Sequence, residues 1–184
     1  MNFVQFFSGS ACPTARHLSN FSGKIKLSKH PFHGKNVLVE TAFQIEKILF
    51  CDPKFFETKI GDKILKKCES FTGVEARRIG GKTFFKNHGI KFDKKWDGVR
   101  RDIMKKIIRR RFASDKLFRE ILRKFDYFYH FQRRGARSSF WGGAFAGGVK
   151  AATKKFGNPR LAWHGRNELG KILREVKLEF INKK

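Results

Sequence analysis

Acidic residues are scarce in this chain: 16 Asp and Glu stand against 42 Lys and Arg, a formal net charge of +26 over 184 residues. Cysteine is rarer still, with Cys12, Cys51 and Cys68 the full set of 3. An odd, widely spaced set implies no disulfide framework, and no pair forms the Cys-x-x-Cys knuckle of a zinc site. No apolar run has the length of a membrane span. The opening Met1 to Phe7 is apolar, but it lacks a basic leader and a long enough hydrophobic stretch, so no signal peptide is expected. These absences point to a reducing, intracellular setting (cytoplasm or an organelle matrix) or to a virion, and away from secretion.

What is abundant is phenylalanine: 22 Phe against 2 Tyr and 2 Met, within a hydrophobic share of 40%. That share excludes a disordered tail, and most of the rings must fill a core. The length suits one domain, 1–184, with a real interior. A charge of +26 far exceeds the magnitude of about 2 to 8 that solubility requires of a small domain. Such a surplus repels itself unless a polyanion neutralises it. Nucleic acid, whose phosphates release counterions on contact, is the expected partner. An anionic membrane fits less well, because no terminal segment sets a clean apolar face against a basic one.

The pattern is helix-dominated α+β. Alternation at Lys24-Ile25-Lys26-Leu27 predicts a short strand, and a loop follows through Pro31 and Gly34. Residues 37–50 read as a buried central helix, closed by Asp52-Pro53 because proline disfavours helix in the residue before it. Residues 54–69 and Glu75 to Ile79 read as further helices, and Lys82 to Lys95 as a basic loop. Trp96, Val99, Ile103, Ile107 and Ile108 recur at helical spacing. Ser114 is expected to cap the next helix, with its stripe Leu117, Phe118, Ile121, Leu122 and Phe125. Residues 126–164 read as irregular, with a basic, glycine-rich loop over 142–164. Asn167 is expected to cap a last helix carrying Leu169, Ile172, Leu173, Val176 and Phe180.

Cations crowd the helix that starts at Trp96. Arg100, Arg101, Lys105, Lys106, Arg109, Arg110 and Arg111 lie on it, and Arg133, Arg134 and Arg137 extend the run. They outnumber what one nucleotide needs, so they are expected to meet nucleic acid. His30-Pro31-Phe32-His33 has no second pair of ligands at metal spacing, so no metal site is expected. The run Gly142 to Gly148 lacks the Lys-Ser or Lys-Thr that a phosphate loop requires.

Several segments, taken in order, carry a resemblance. Ser19-Asn20-Phe21 is followed by Glu40-Thr41-Ala42-Phe43-Gln44-Ile45-Glu46-Lys47, then by Ala76 to Gly80. Lys95-Trp96 runs on to Met104, and Arg111-Phe112 follows. The set closes with Trp141-Gly142 and with Gly165, Asn167, Leu169, Gly170 and Leu173. This ordered set resembles the NADAR domain, the family of YbiA-like N-glycosidases, over nearly the whole chain. In the helix motif Glu40, Phe43, Gln44 and Lys47 match the family pattern, whereas Val39, Thr41 and Ala42 do not. Two acidic positions also depart: Ser138 and Gly143 stand where the family carries Asp.

The resemblance implies cleavage of the N-glycosidic bond of a nucleotide-type or ADP-ribosylated substrate, with no cofactor. Such a cleavage builds oxocarbenium character on the ribose, which a carboxylate can stabilise while it orients water. Glu40 is the matching acid that remains and is the implied catalytic residue. Gln44, Lys47, Trp96, Trp141 and Asn167 are implied to line the substrate. Simpler roles stand beside these. Glu40 suits the positive end of a helix dipole, Asn167 suits a cap, and both tryptophans suit a core.

Two function classes follow. One is a diverged family member with reduced or lost catalysis, bound to nucleic acid or to a large anionic assembly such as an organellar ribosome or a virion. The other is an active N-glycosidase. Loss of the acids at Ser138 and Gly143 favours the first, and Glu40 keeps the second open.

Overall fold

A computed structural model describes residues 2–131, 139–145 and 163–181. In chain order the elements are β1 (Phe3–Phe6), α1 (Pro13–His17), β2 (Lys24–Lys26), β3 (Asn36–Leu38) and α2 (Val39–Cys51). A 3-10 turn (Phe55–Glu57) leads to α3 (Lys59–Lys67), α4 (Gly73–Ile79), α5 (Lys82–Asn87) and α6 (Trp96–Ser114). The rest are α7 (Lys116–Lys124), β4 (Tyr127–His130), β5 (Ala144–Phe145), β6 (Trp163–His164) and α8 (Glu168–Ile181). The class is α+β with helices dominant. Two compact units form: residues 20–116, and residues 1–19 with 117–184.

The unit of residues 20–116 is built around α2. Val39, Thr41, Ala42, Phe43, Gln44, Ile45 and Ile48 are all buried there. A helix covered on most sides must have neighbours on most sides, and α2 packs against α6, α4, β3 and β2. It enters directly from β3, which pairs antiparallel with β2 through Lys24–Leu38, Ile25–Val37 and Lys26–Asn36. The amides of Val39 and Glu40 are satisfied by the carbonyls of Gly23 and Asn20, at 2.9 and 3.1 Å. The first turn of α2 is therefore tied to the segment before β2. Thr58 caps α3 by accepting from the Gly61 amide at 3.1 Å. Thr72 and Glu75 form a reciprocal capping box on α4.

In the unit of residues 1–19 and 117–184, β1 and β4 pair in parallel from Phe3–Tyr127 to Phe6–His130. Helix α8 lies against β4. Gly170 permits the approach, since a Cβ there would overlap the Phe128 carbonyl. Lys177, though buried, keeps its charge satisfied by donating to the Phe125 carbonyl at 2.7 Å.

Three expectations need correction, and one element was not foreseen. The segment from Lys82 is not loop throughout, because α5 covers Lys82–Asn87 and buries Phe85. Ser114 does not cap α7; it is the last residue of α6, and its hydroxyl donates back to the Arg110 carbonyl at 3.1 Å. Residues 126–164 are not wholly irregular, since β4 completes a sheet with the amino-terminal strand. Helix α1, which the apolar pattern does not signal, opens on Pro13, a residue pre-set for a first turn. Most of the 142–164 loop, with Arg133, Arg134, Arg137 and Ser138, lies outside the described residues.

Candidate active site

Glu40 occupies the first turn of α2. One turn on, the Gln44 side-chain amide donates to its carboxylate at 2.8 Å. The residue as a whole is half-buried, but dense surroundings desolvate its carboxylate, and that cost raises its pKa above the ordinary carboxylate value. The Gln44 bond, the charges of Arg77 and Lys47, and the Asn20 amide oppose the rise without cancelling it. The result is a carboxyl group biased toward taking up a proton, held beside two cations.

The polar atoms around it are incompletely satisfied. Asn20 Oδ1, Gln44 Oε1 and Thr41 Oγ1 are buried without a hydrogen-bond partner. Buried acceptors of this kind cost about 1–3 kcal/mol each. Two of them, on Asn20 and Gln44, belong to side chains that hydrogen-bond the desolvated Glu40 carboxyl, and there a ligand hydroxyl or N–H would be welcome. Asn20 Nδ2 itself rests on Met104 Sδ at 3.8 Å.

Lys47 lies on the same stripe of α2 as Glu40, two turns on. Its ammonium donates to the Gly80 carbonyl at 2.7 Å and sits 5.0 and 5.3 Å from the ring centroids of Phe85 and Phe92. Burial lowers its pKa. Gly80, at the end of α4, also borders Gln44, because a Cβ at this position would overlap the Gln44 amide. Trp96 is 2% exposed, with its ring 5.3 Å from Phe43 and 5.6 Å from Phe50. It braces the helix that carries Glu40 and offers no open face for stacking.

Of the residues singled out in the sequence, Glu40, Gln44, Lys47 and Trp96 thus meet on α2 and the start of α6. Trp141 and Asn167 belong to the other unit. Trp141 is half-buried, its ring edge-on to Phe140 at 4.7 Å. Asn167 stands at the start of α8 but does not cap it with its side chain. That amide accepts from the His130 amide at 3.0 Å and donates to the Phe128 carbonyl at 2.8 Å, spending itself on β4. Nor are the helix-end amides free to hold an anion. Those of Glu168 and Leu169 donate to the carbonyls of Phe140 and Trp141 at 3.1 Å each. The Trp-Gly turn is therefore a cap for α8, built from backbone.

The basic residues of α6 divide. Arg100 pairs with Asp97 at 2.9 Å. Arg111 cannot meet nucleic acid: it is 0% exposed, and its Nε lies 3.2 Å from Asp115. It falls on the stripe of Met104, Ile107, Ile108 and Phe112 that packs inward. Lys106 and Arg109 are exposed, and Arg101, Lys105 and Arg110 are half-buried.

Sequence reasoning gave no role to Asn20, Arg77 or Gly80. The signals were present, in Ser19-Asn20-Phe21 and in the segment from Ala76 to Gly80, but as motif positions without a partner.

The family comparison agrees with this architecture. The NADAR domain matches residues 6–181, and the chain belongs to that family. A solved structure described as the NMR structure of the E. coli protein YbiA is similar at a TM-score of 0.64 and 19% identity, covering 99% of this chain and 86% of that one. At that identity the likeness establishes the fold. No curated protein matches in sequence.

Proposed function

We propose that the chain is an N-glycosidase acting on a nucleotide-type or ADP-ribosylated substrate, with Glu40 as its working carboxylate. The supporting observation is the Glu40–Gln44 pair: a desolvated carboxyl with a raised pKa, fixed at 2.8 Å by an amide whose own oxygen lacks a partner. In this reading the ribose hydroxyls satisfy Asn20 and Gln44. As the C1′–N bond to the base breaks, Glu40 stabilises the oxocarbenium-like ribose and takes a proton from the water that bonds to C1′, and that proton passes on to the departing base. The charges of Arg77 and Lys47 favour its ionised form, against the desolvation that opposes it.

The test is release of free base from an ADP-ribosylated guanine or nucleotide substrate. Glu40→Gln should lower the rate at least about a hundredfold, the lower end of what a positioned acid–base group contributes. Equal rates in the two proteins would remove Glu40 from the chemistry.

A second reading is that the protein serves chiefly as a binder of nucleic acid or another polyanion, with catalysis reduced. The net charge of +26 and the exposure of Lys106 and Arg109 on α6 favour it. Binding that weakens steeply as salt rises would support this reading, and no measurable binding to any nucleic acid would end it.

A further inference from the structure

On a side of α2 lined by Glu46, Leu49 and Phe50, and not by Glu40, a cleft of about 550 Å3 runs between α2 and α6. Leu49, Phe50, Val99, Ile103 and Ile107 give it an apolar lining, and Lys29, Lys106 and Arg110 supply its cations. A second cleft, of about 510 Å3, lies along β2, β3 and the end of α6. Its cations are Lys24, Lys26, Arg110 and Lys116. Arg110 lines both, so the two clefts meet at that residue and carry six cations between them, a track along this side of the unit.

The acids on the track are already engaged. Glu46 pairs with Lys29 at 2.9 Å, and Asp115 pairs with Arg111 at 3.2 Å. Among the described residues, Lys26, Lys106, Arg110 and Lys116 have no acidic partner. Positive charge left unneutralised beside an apolar hollow is costly through mutual repulsion unless an anion occupies it.

From this juxtaposition we propose that the track binds single-stranded nucleic acid, with phosphates along the lysines and an unstacked base in the apolar cleft between α2 and α6. Five of the six cations are lysine, a residue depleted at protein–protein interfaces but well suited to phosphate as a point charge. That favours nucleic acid over an acidic protein segment. A duplex keeps its bases stacked inside and presents mainly phosphate to such a surface, so the apolar floor would be wasted on it. The inference rests on the polyanion reading above and assigns it a path; it does not involve Glu40.

The experiment measures binding of a fluorescent oligothymidylate by anisotropy across a salt series. Lys26, Lys106, Arg110 and Lys116 are changed together to Gln in one variant. Lys54, Lys59, Lys63 and Lys67, exposed lysines on or before α3, are changed together to Gln in a second variant of equal charge. The track variant should bind roughly tenfold or more weakly, and its salt slope should fall by about 0.7 for each phosphate it no longer neutralises. The α3 variant should stay near wild type. Lys106→Gln with Lys116→Gln, both exposed, gives a milder version should the fourfold change disturb folding.

An abasic strand of equal length should bind more weakly than the thymidylate. Equal losses in the track and α3 variants would overturn the assigned path. Equal affinity for the abasic strand would overturn the base-binding cleft. Polyglutamate competing as well as the oligonucleotide would replace nucleic acid by an acidic protein as the partner. Failure of the wild-type protein itself to bind would instead sink the polyanion reading on which the path depends.

Discussion

Gly80 lies so close to Gln44 that the residue at the end of α4 has no room for a side chain: a Cβ would overlap the amide that holds Glu40. The same residue's carbonyl receives Lys47 at 2.7 Å. One glycine thus fixes two side chains on successive turns of α2, and its backbone conformation (φ −95°) is open to any residue. The requirement for glycine is purely steric.

Gly80→Ala should therefore act as a positioning change. Gln44 must swing aside, its bond to Glu40 is broken, and the rate of base release is expected to fall about tenfold or more. Stability should drop by only about 1–2 kcal/mol, because the displaced group is the end of a flexible side chain. A double-mutant cycle checks the cause. If Gly80 works through Gln44, then Gly80→Ala adds nothing to the loss already caused by Gln44→Ala. Fully additive losses would refute the link.

Glu40 should carry a cost in stability. Its folded pKa is raised, so the folded protein holds that proton more tightly than the unfolded chain does. The stability lost this way is absent at low pH, where both states are protonated, and appears as pH rises through the unfolded and then the folded pKa. Glu40→Gln removes the charge while keeping an oxygen to accept from Gln44. The variant should be more stable than wild type at neutral pH, by about 1 kcal/mol, and equal to it in acid. Urea midpoints at the two pH values check this, and a variant less stable at neutral pH would contradict it.

Much of this fold was legible in the sequence because burial imposes a period. The stripe of α6 and the nearly all-apolar α2 were readable as helices, and the family motifs fell in order along them. The sheet pairing of β1 with β4 was not readable, since its two strands lie more than a hundred residues apart and neither alternates cleanly. Arg111 misled for a related reason. Charge implies exposure only on average, and the helical period that placed Met104, Ile107 and Ile108 inside also places Arg111 inside. Asn167 misled in the opposite direction: its position at a helix start was right, yet its amide serves a neighbouring strand. Side-chain destinations of that kind depend on what tertiary structure brings near.

Gly23 and Arg111 make the buried cation testable. A Cβ at Gly23 would collide with the Arg111 guanidinium, which lies fully buried beside Asp115. Burial lowers the pKa of this arginine to about 10, opposed by Asp115, so it stays charged at neutral pH. Gly23→Ala should cost about 2 kcal/mol, a typical overpacking penalty where the neighbour cannot move away. A change within a few tenths of a kcal/mol, read from denaturant midpoints, would mean that the guanidinium is not held there.

His130, in β4, should make the protein sensitive to mild acid. Its ring stacks on Phe6 at 5.2 Å, and its Nδ1 is buried without a partner. Desolvation lowers its pKa to about 4, opposed by a backbone hydrogen bond with Trp141. The folded state thus holds His130 neutral, whereas the unfolded chain takes up a proton near the ordinary value of 6.5. The stability linked to this residue is present above about pH 6.5 and lost as pH falls toward 4. At 1.36 kcal/mol per pKa unit, the full loss is about 3 kcal/mol. Glu69, Glu75 and Asp126 have lowered pKa values and also lose stability in acid, so wild type alone cannot isolate the histidine. The readout is the difference from His130→Phe, which keeps a ring against Phe6. Wild type should lose stability faster than the variant between pH 6.5 and 4, and parallel urea-midpoint curves over that range would show that His130 is not held neutral by burial.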